Sequence, residues 1–427
     1  MKWRQRANKK VVEAVVDTFR DSAEASSRRL SAFNLADWQR SYHWLDASGM
    51  ALYFLDRIES LHIETALPPA ALLRLRQNLA DNRARSAALF AEFVSLNQTF
   101  QAAGLQYANL KGFTLSPDSC PRPECRCQFD LDFLVDGAQL NIYQALLSKA
   151  GYELAASTPD VWEFKAGSSS LARIEDHYKA KPQRSVELHF ATSGAPAHLH
   201  FRDPRLERLG SRSWGGLTFP ALGPADQFIA QALHLFKHLC SPWTRLSWLL
   251  EYQRHVSIRN HDQSLWNAVR AQAGTHRRTS IAIGLTTLLS SRIFGWDAPL
   301  QLEEWTSHRL PAGVRLWADQ YGRQSILADF PGTKLYLLLE EELRGNDQAW
   351  KQTRRTTLLP LHRAPRILST NAQDNVWKRI RGEVHQLRFV LFRLRFHVVE
   401  GLHYLIAASR WKRRRAALRE LNPKSAC

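Results

Sequence analysis

Two carboxylates, Asp130 and Asp132, sit inside the apolar run "CQFDLDFLVD". In a strand, alternate side chains point to opposite faces. Phe129, Leu131 and Phe133 are therefore expected to face a core, and the two aspartates to share the other side. Neighbouring carboxylates repel, and burying either without compensation is costly. A hard divalent cation resolves this. Mg²⁺, with Mn²⁺ as a substitute, takes oxygen ligands and is typically held by one or two carboxylates beside substrate phosphates. Two such ions can stabilise the attacking and leaving oxygens of phosphoryl or nucleotidyl transfer. Asp-x-Asp pairs are also common on solvated strands, so the pair alone leaves both readings open.

A third acid, Glu187, lies in "SVELHF", with Val186 and Leu188 facing away from Glu187 and His189. If the two segments are neighbouring strands, Glu187 reaches the aspartates and either holds a metal or activates a nucleophile. Its bland alternative is a salt bridge to Lys181 or Arg184. His189 is expected to support that carboxylate or a substrate. Gly112 would let backbone N–H groups approach phosphates, while Lys111 and Arg126 would offset phosphate charge. A turn glycine, a solvated lysine and a salt-bridging arginine are the alternatives. His234 and His238 are four apart, opposite an apolar stripe of Ile229, Ala232, Leu233, Phe236 and Cys240. Their spacing permits zinc but lacks the Glu of His-Glu-x-x-His, leaving substrate contact or a structural role. Arg245 and Glu251 read as an interhelical charge pair, with Arg245 also a substrate-contact candidate.

These residues need elements to hold them. Residues 1–104 read as helical, with Gly49 as a weak point, Pro68–Pro69 as a start and Gly104 as an end. On the long segment after Pro69, Leu72, Leu75, Leu79, Ala87, Phe90, Phe93 and Leu96 form the expected apolar side. Residues 105–220 mix short strands, including "WEFKA", "LARIEDHYKA" and "SVELHFAT", with one helix ending near Gly151. A loop rich in Gly, Ser and Pro is expected around 193–224. Helices return from Pro224, with further ones at 262–273, 279–292, 311–328 and 332–344. Pro360 and Pro365 mark a linker. "FRLRFHV" alternates like a strand, but its context favours helix. The arginines between 388 and 395 do not gather on one side, which argues against a regular membrane-surface helix.

Composition sets the outer bounds. The chain has 427 residues, is 44% apolar with 14 Trp and 20 Phe, and reads as folded. Five cysteines at loose spacing argue against a disulfide scaffold; Cys120, Cys125 and Cys127 with Cys240 leave zinc as a minor alternative to unligated thiols. Glu13, Asp17 and Arg20 interrupt any secretory pattern, and no apolar run is long enough to span a membrane. A cytoplasmic protein is expected. The formal charge is +18, and residues 361–427 carry 15 Lys/Arg against 4 Asp/Glu. Such a tail attracts nucleic acid, anionic lipid or an acidic partner without choosing among them.

The ordered elements "ANLKGFTLS", "RCQFDLDFLVD", "SVELHF", "LHLFKH" and "RLSWLLEY" resemble the uncharacterised nucleotidyltransferase family of the polymerase-beta-like superfamily, over residues 30–260. By position, Lys111–Gly112 match its Leu-Lys-Gly segment, Arg126 its arginine, and Asp130 and Asp132 its paired metal ligands. Glu187 replaces a third aspartate, Phe190 a common tryptophan and Glu251 another aspartate. Better-studied superfamily members carry Gly-Gly or Gly-Ser in place of Lys-Gly. The resemblance implies an α+β fold: a small mixed sheet flanked by N-terminal helices and a large C-terminal helical region. The pattern along the chain divides it into a helical region at 1–104, a strand-and-helix core at 105–220, a helical domain at 221–360 and a basic segment at 361–427, and the resemblance makes 105–220 the catalytic core. It further implies Mg²⁺-dependent transfer of a nucleoside monophosphate from an NTP, with ATP preferred, to a hydroxyl-bearing small molecule or protein. The alternatives are a degenerate nucleotide-binding adaptor and a nucleic-acid-modifying enzyme using the basic tail.

Overall fold

The computed structural model describes residues 7–167, 176–180, 183–191, 202–345, 347–359 and 376–421. Five helices lead the chain: α1 (Lys9–Asp17), α2 (Ala23–Leu30), α3 (Leu35–Ala47), α4 (Met50–Ser60) and α5 (Pro69–Ala102). Asn34 and Asp37 close a capping box at the start of α3, and the break to α4 falls at Gly49. Pro69 opens α5, where its missing N–H costs no helical bond.

The buried side of α5 is not apolar throughout. Leu75, Leu79, Phe93, Leu96 and Phe100 are buried, but Asn82 and Arg85 occupy the middle of that side and Ala87 is exposed. Asn82 Nδ2 donates to the carbonyls of Glu124 (2.7 Å) and Arg126 (3.1 Å), and Arg85 Nη1 to that of His177 (2.6 Å). Buried polar side chains here satisfy a loop that has no ladder of its own.

Seven strands form one mixed sheet in the order β3-β4-β5-β2-β1-β7-β6. They are β1 (Tyr107–Leu110), β2 (Leu131–Val135), β3 (Glu153–Ser157), β4 (Val161–Ala166), β5 (Arg184–His189), β6 (Leu209–Trp214) and β7 (Leu217–Leu222), with α6 (Leu140–Lys149) between β2 and β3. β5 runs parallel to β2, and β7 parallel to β1; the other pairs are antiparallel. The expected loop at 193–224 therefore contains a hairpin. Gly215 and Gly216 both take positive φ, 55° and 80°, which the tight two-residue connection demands. Half of the "LARIEDHYKA" segment lies outside the described residues, and its described part, 176–180, forms no strand.

One sheet face packs on α5 and α6. Phe100 meets Tyr107, Phe133 and Tyr143 edge-on at centroid distances of 5.1–5.3 Å, inside a core that includes Leu131, Val186 and Leu188. Ala108, Leu134, Leu206 and Leu222 form a smaller apolar cluster. Phe129 departs from expectation. It precedes β2 and lies between two arginines instead of joining the core.

The chain divides into two compact units. The first, residues 7–235 with 245–309, contains the sheet and α1–α6. It also holds most of α7 (Pro224–Leu239), α8 (Leu246–Ile258), α9 (Gln263–Ala273), α10 (Arg277–Phe294) and α11 (Leu300–Glu303). On α7 the buried apolar residues are Ala225, Phe228, Ala232, Leu235, Phe236 and Leu239; Leu233, expected in the stripe, is 36% exposed. The second unit, residues 236–244 with 310–427, contains α12 (Ala312–Trp317), α13 (Arg323–Ile326), α14 (Tyr336–Arg344), α15 (Gln348–Leu358) and α16 (Val376–Leu421). Within it, Trp317 Nε1 donates to Leu335 O (2.9 Å), and Arg415 Nε bonds Glu342 Oε1 (2.8 Å). The alternating run 392–398 is helical, inside the 46-residue α16. Among the described residues, no helix is long and apolar enough to cross a membrane.

Candidate metal and phosphate site

Parallel pairing of β2 and β5 sets the site. Asp132 stands opposite Glu187 in register, and His189 lies two residues further along β5 on the same face. His189 Nε2 is 3.0 Å from Asp132 Oδ1 and 3.2 Å from Glu187 Oε2. One ligand atom from each of these three residues lies within 4.8 Å of the others, close enough to share a cation. Lys111 Nζ, just beyond β1, approaches Asp132 Oδ1 at 2.9 Å.

Asp130 is placed differently from expectation. It falls one residue before β2, where its carbonyl accepts from Gln128 Nε2 at 2.8 Å, and the group within ligand distance contains His189 in its stead. Its carboxylate still faces the same charges. Burial and the nearby Asp132 push its pKa up to about 6, against the opposing pull of Lys111. Asp132 moves the other way. Burial works against its charge, yet the His189 hydrogen bond and Lys111 hold it well below the usual range. Burial also opposes charge on Lys111 and His189, and their carboxylate partners raise both. Three carboxylates thus face one lysine and one imidazole. This donor set fits a divalent cation, with oxygen ligands for Mg²⁺ and an imidazole nitrogen that also suits Mn²⁺.

The backbone before the acids is strained. Lys111 has φ 51° and ψ −152°, a region otherwise nearly reserved for glycine. Thr114 holds it by donating from both N (2.9 Å) and Oγ1 (2.6 Å) to Lys111 O. Gly112 follows at φ 49°, and a Cβ there would meet the Gln128 amide at 2.3 Å. The glycine leaves a cradle beside the backbone, and the tip of the Gln128 side chain fills it.

Beside the acids lie three arginines, Arg85 buried and Arg126 and Arg245 partly so. Arg126 Nε pairs with Glu251 Oε1 at 3.2 Å, and Tyr53 OH donates to the same oxygen at 2.8 Å. Burial opposes the Arg126 charge, but Glu251, with Tyr53, Cys120 and Asp130 adding to it, more than offsets burial and keeps the guanidinium firmly protonated. Glu251 is thus the partner of Arg126, not of Arg245 as the sequence suggested. Arg245 precedes α8, donates to Cys127 O (3.4 Å), and sits 5.2 Å from the Phe129 ring and 5.4 Å from that of Trp248. Arg85 covers the other approach to Phe129 at 4.0 Å. Burial lowers the pKa of both Arg85 and Arg245, and the neighbouring guanidinium adds to the effect in each case. Asp130 is near enough to act electrostatically on all three arginines.

A pocket opens beside Lys111 and Arg126, walled by His234, Gln231, Trp248 and Glu251. The His234 ring packs against Trp248 at 4.8 Å. Among the described residues, neither His234 nor His238 joins a metal-competent group, and His238 falls in the second compact unit. Cys120, Cys125 and Cys127 are buried free thiols outside any such group. Cys120 lies 3.2 Å from Tyr53 OH, and burial pushes its thiol up to about 12.

Arg85, Gln128 and Gln231 escaped the sequence reading. Arg85 hid among the apolar positions of a long helix, where its eight-residue offset from Phe93 was the available signal.

The model of the family described as "Uncharacterised nucleotidyltransferase" matches residues 34–295, which include every residue of the site described above, His238 among them. The chain belongs to this family. The family is part of the polymerase-beta-like superfamily, and the mixed sheet flanked by helices is the fold expected of a member. No curated protein matches the chain.

Proposed function

We propose that the protein is a divalent-metal-dependent nucleotidyltransferase. It would move a nucleoside monophosphate from an NTP, preferably ATP, to a hydroxyl on a small molecule or protein, in the cytoplasm. One observation carries the reading: a carboxylate-rich cluster lies against a guanidinium-rich one, with Asp130 answering to both. A cation-seeking site beside an anion-seeking one suits a metal–triphosphate complex.

In this reading residues 105–220 are the catalytic core. Asp132 and Glu187 hold the cation with Asp130, and His189 fixes the orientation of the first two. When bound, Mg²⁺ or Mn²⁺ supplies positive charge to the phosphate oxygens during in-line displacement. Lys111 and Arg126, with Arg245, orient the phosphates, and the Gly112 backbone lies beside them once Gln128 swings aside. Glu187 has 28% of its side chain exposed against 3% for Asp132, and it takes the proton from the acceptor hydroxyl. That oxygen forms a bond to the α-phosphorus as the bond to pyrophosphate breaks. His234 and Trp248 contribute the wall against which a substrate group lies.

A second reading rests on a specific observation. Lys111 Nζ already neutralises Asp132, and the Gln128 amide fills the Gly112 cradle. A degenerate binding protein with internal stand-ins for cation and phosphate would look similar. Incubation with each labelled NTP, Mg²⁺ or Mn²⁺ and pools of acceptors decides between them. Pyrophosphate release and label transfer that vanish in Asp130→Ala/Asp132→Ala support the enzyme. Metal-dependent nucleotide binding without release supports the binding protein, and turnover undiminished in the double variant rejects the site.

A further inference from the structure

The C-terminal helix carries a second feature, outside the family match. Along α16, Ile380, Leu387 and Leu394 alternate with Val384, Leu391 and Val398 at strict spacings of four and three. All six are 40–59% exposed, and the exposed apolar strip runs on through Leu402 and Leu405. The opposite side of the helix is not equivalent, since Tyr404, Ala407 and Trp411 are buried within their own unit.

Charge borders this strip. Arg381, Arg388 and Arg395 are exposed and recur every seven residues, so they line one edge of it. Arg393 falls elsewhere, 5.8 Å from the Phe389 ring, so the arginines between 388 and 395 do not gather on one side; the shared edge is that of Arg381, Arg388 and Arg395. Between 376 and 399 there are six Lys/Arg and one acid, Glu383.

We propose that this face of α16 lies on an anionic lipid surface, with the leucines in the headgroup–acyl boundary and the arginines reaching the phosphates. Arginine stems can lie along apolar surface while the guanidinium stays among polar groups, and an in-plane helix gains from both terms. The seven-residue spacing also fits a coiled coil with a second copy, but the charges oppose it. An antiparallel pair would set the arginine edges against each other. A parallel pair would offer the three arginines Val376, Glu383 and Val390 as facing neighbours, a single acid.

Flotation of the full-length protein tests this. The vesicles are phosphatidylcholine alone or with 30% phosphatidylglycerol, at 150 and 500 mM salt. Recovery is expected with the anionic vesicles only, and less of it at high salt. Arg381→Glu/Arg388→Glu/Arg395→Glu should lower partitioning on the order of a hundredfold. Leu387→Ser/Leu391→Ser/Leu394→Ser should lower it at least about tenfold at either salt concentration. Circular dichroism confirms that these exposed substitutions leave the fold intact. No capture by anionic vesicles overturns the proposal. So does capture undiminished in the leucine variant, which is diffuse attraction to a basic tail, or a dimer lost in that variant without vesicle capture.

Discussion

Two partly buried ionic clusters sit side by side, and they are unbalanced in opposite directions. Around β2 and β5, three carboxylates face one lysine and a histidine. Around Phe129, Arg126 pairs with Glu251 at hydrogen-bond distance, while Arg85 and Arg245 donate to the backbone carbonyls of His177 and Cys127. Elsewhere in the same unit, ion pairs close on themselves: Arg74 with Asp46 (2.6 Å), Arg208 with Asp226 (3.0 Å). A closed pair organises the fold. A surplus of one sign asks for a ligand of the other, and two opposite surpluses in contact ask for a cation and a polyanion together.

The largest expected effect is at the acids. Asp132→Asn should reduce nucleotide transfer on the order of 10⁴-fold, about 5 kcal/mol, and abolish the rise in melting temperature on adding Mn²⁺. Retained metal stabilisation would break the contrast between the clusters. Glu251→Gln tests the basic side. It leaves Arg126 buried without its partner, so unfolding free energy should drop by about 3–5 kcal/mol while the metal-induced shift persists.

A third group sharpens the comparison by being neutral. His255, on α8, is buried and its Nδ1 bonds Gln231 (2.9 Å), with Asp118, Arg212 and Arg259 around it. Burial pulls its pKa down to about 4, with the two arginines adding to the effect against Asp118. The unfolded chain binds its proton below about pH 6.5, and the folded protein only near 4. Folded stability therefore falls as pH drops through that window and changes no further below it. Relative to His255→Asn, wild-type stability should decline by on the order of 3 kcal/mol between pH 7 and 4, read from urea midpoints at each pH. A constant difference would mean that the imidazole is not held neutral.

The smallest effect is expected at Gln128. Its amide must leave Gly112 before a phosphate can approach, breaking a hydrogen bond worth about 1 kcal/mol. Gln128→Ala should tighten NTP binding about fivefold by calorimetry. Unchanged or weaker binding would mean that phosphates do not use this cradle.

Much of the fold was legible because local rules agreed with it. Pro69, Gly49 and the cap at Asn34 punctuate helices whatever surrounds them. Alternation around Val186 and Leu188 correctly put Glu187 and His189 on one face. The β6–β7 hairpin was missed although "WGGLTF" carries its Gly-Gly turn, because the polar "LGSRSW" lacks the apolar alternation of a half-buried strand. Phe129 was misassigned because alternation was extended two residues beyond the ladder. Arg85 was missed because an arginine on the apolar side of a helix reads as exposed until its partner, a distant loop carbonyl, is known.

The sequence by itself determined that acids, a Lys-Gly turn and an arginine would occur in an order shared with nucleotidyltransferases, and that α16 would be basic. Those properties are local: type, spacing and charge. Only the tertiary structure decided that Asp132 meets Glu187, that Glu251 closes on Arg126 rather than Arg245, and that the apolar strip of α16 stays exposed. Strand register, ion-pair choice and burial depend on segments far apart in the chain, and no window of residues contains that information.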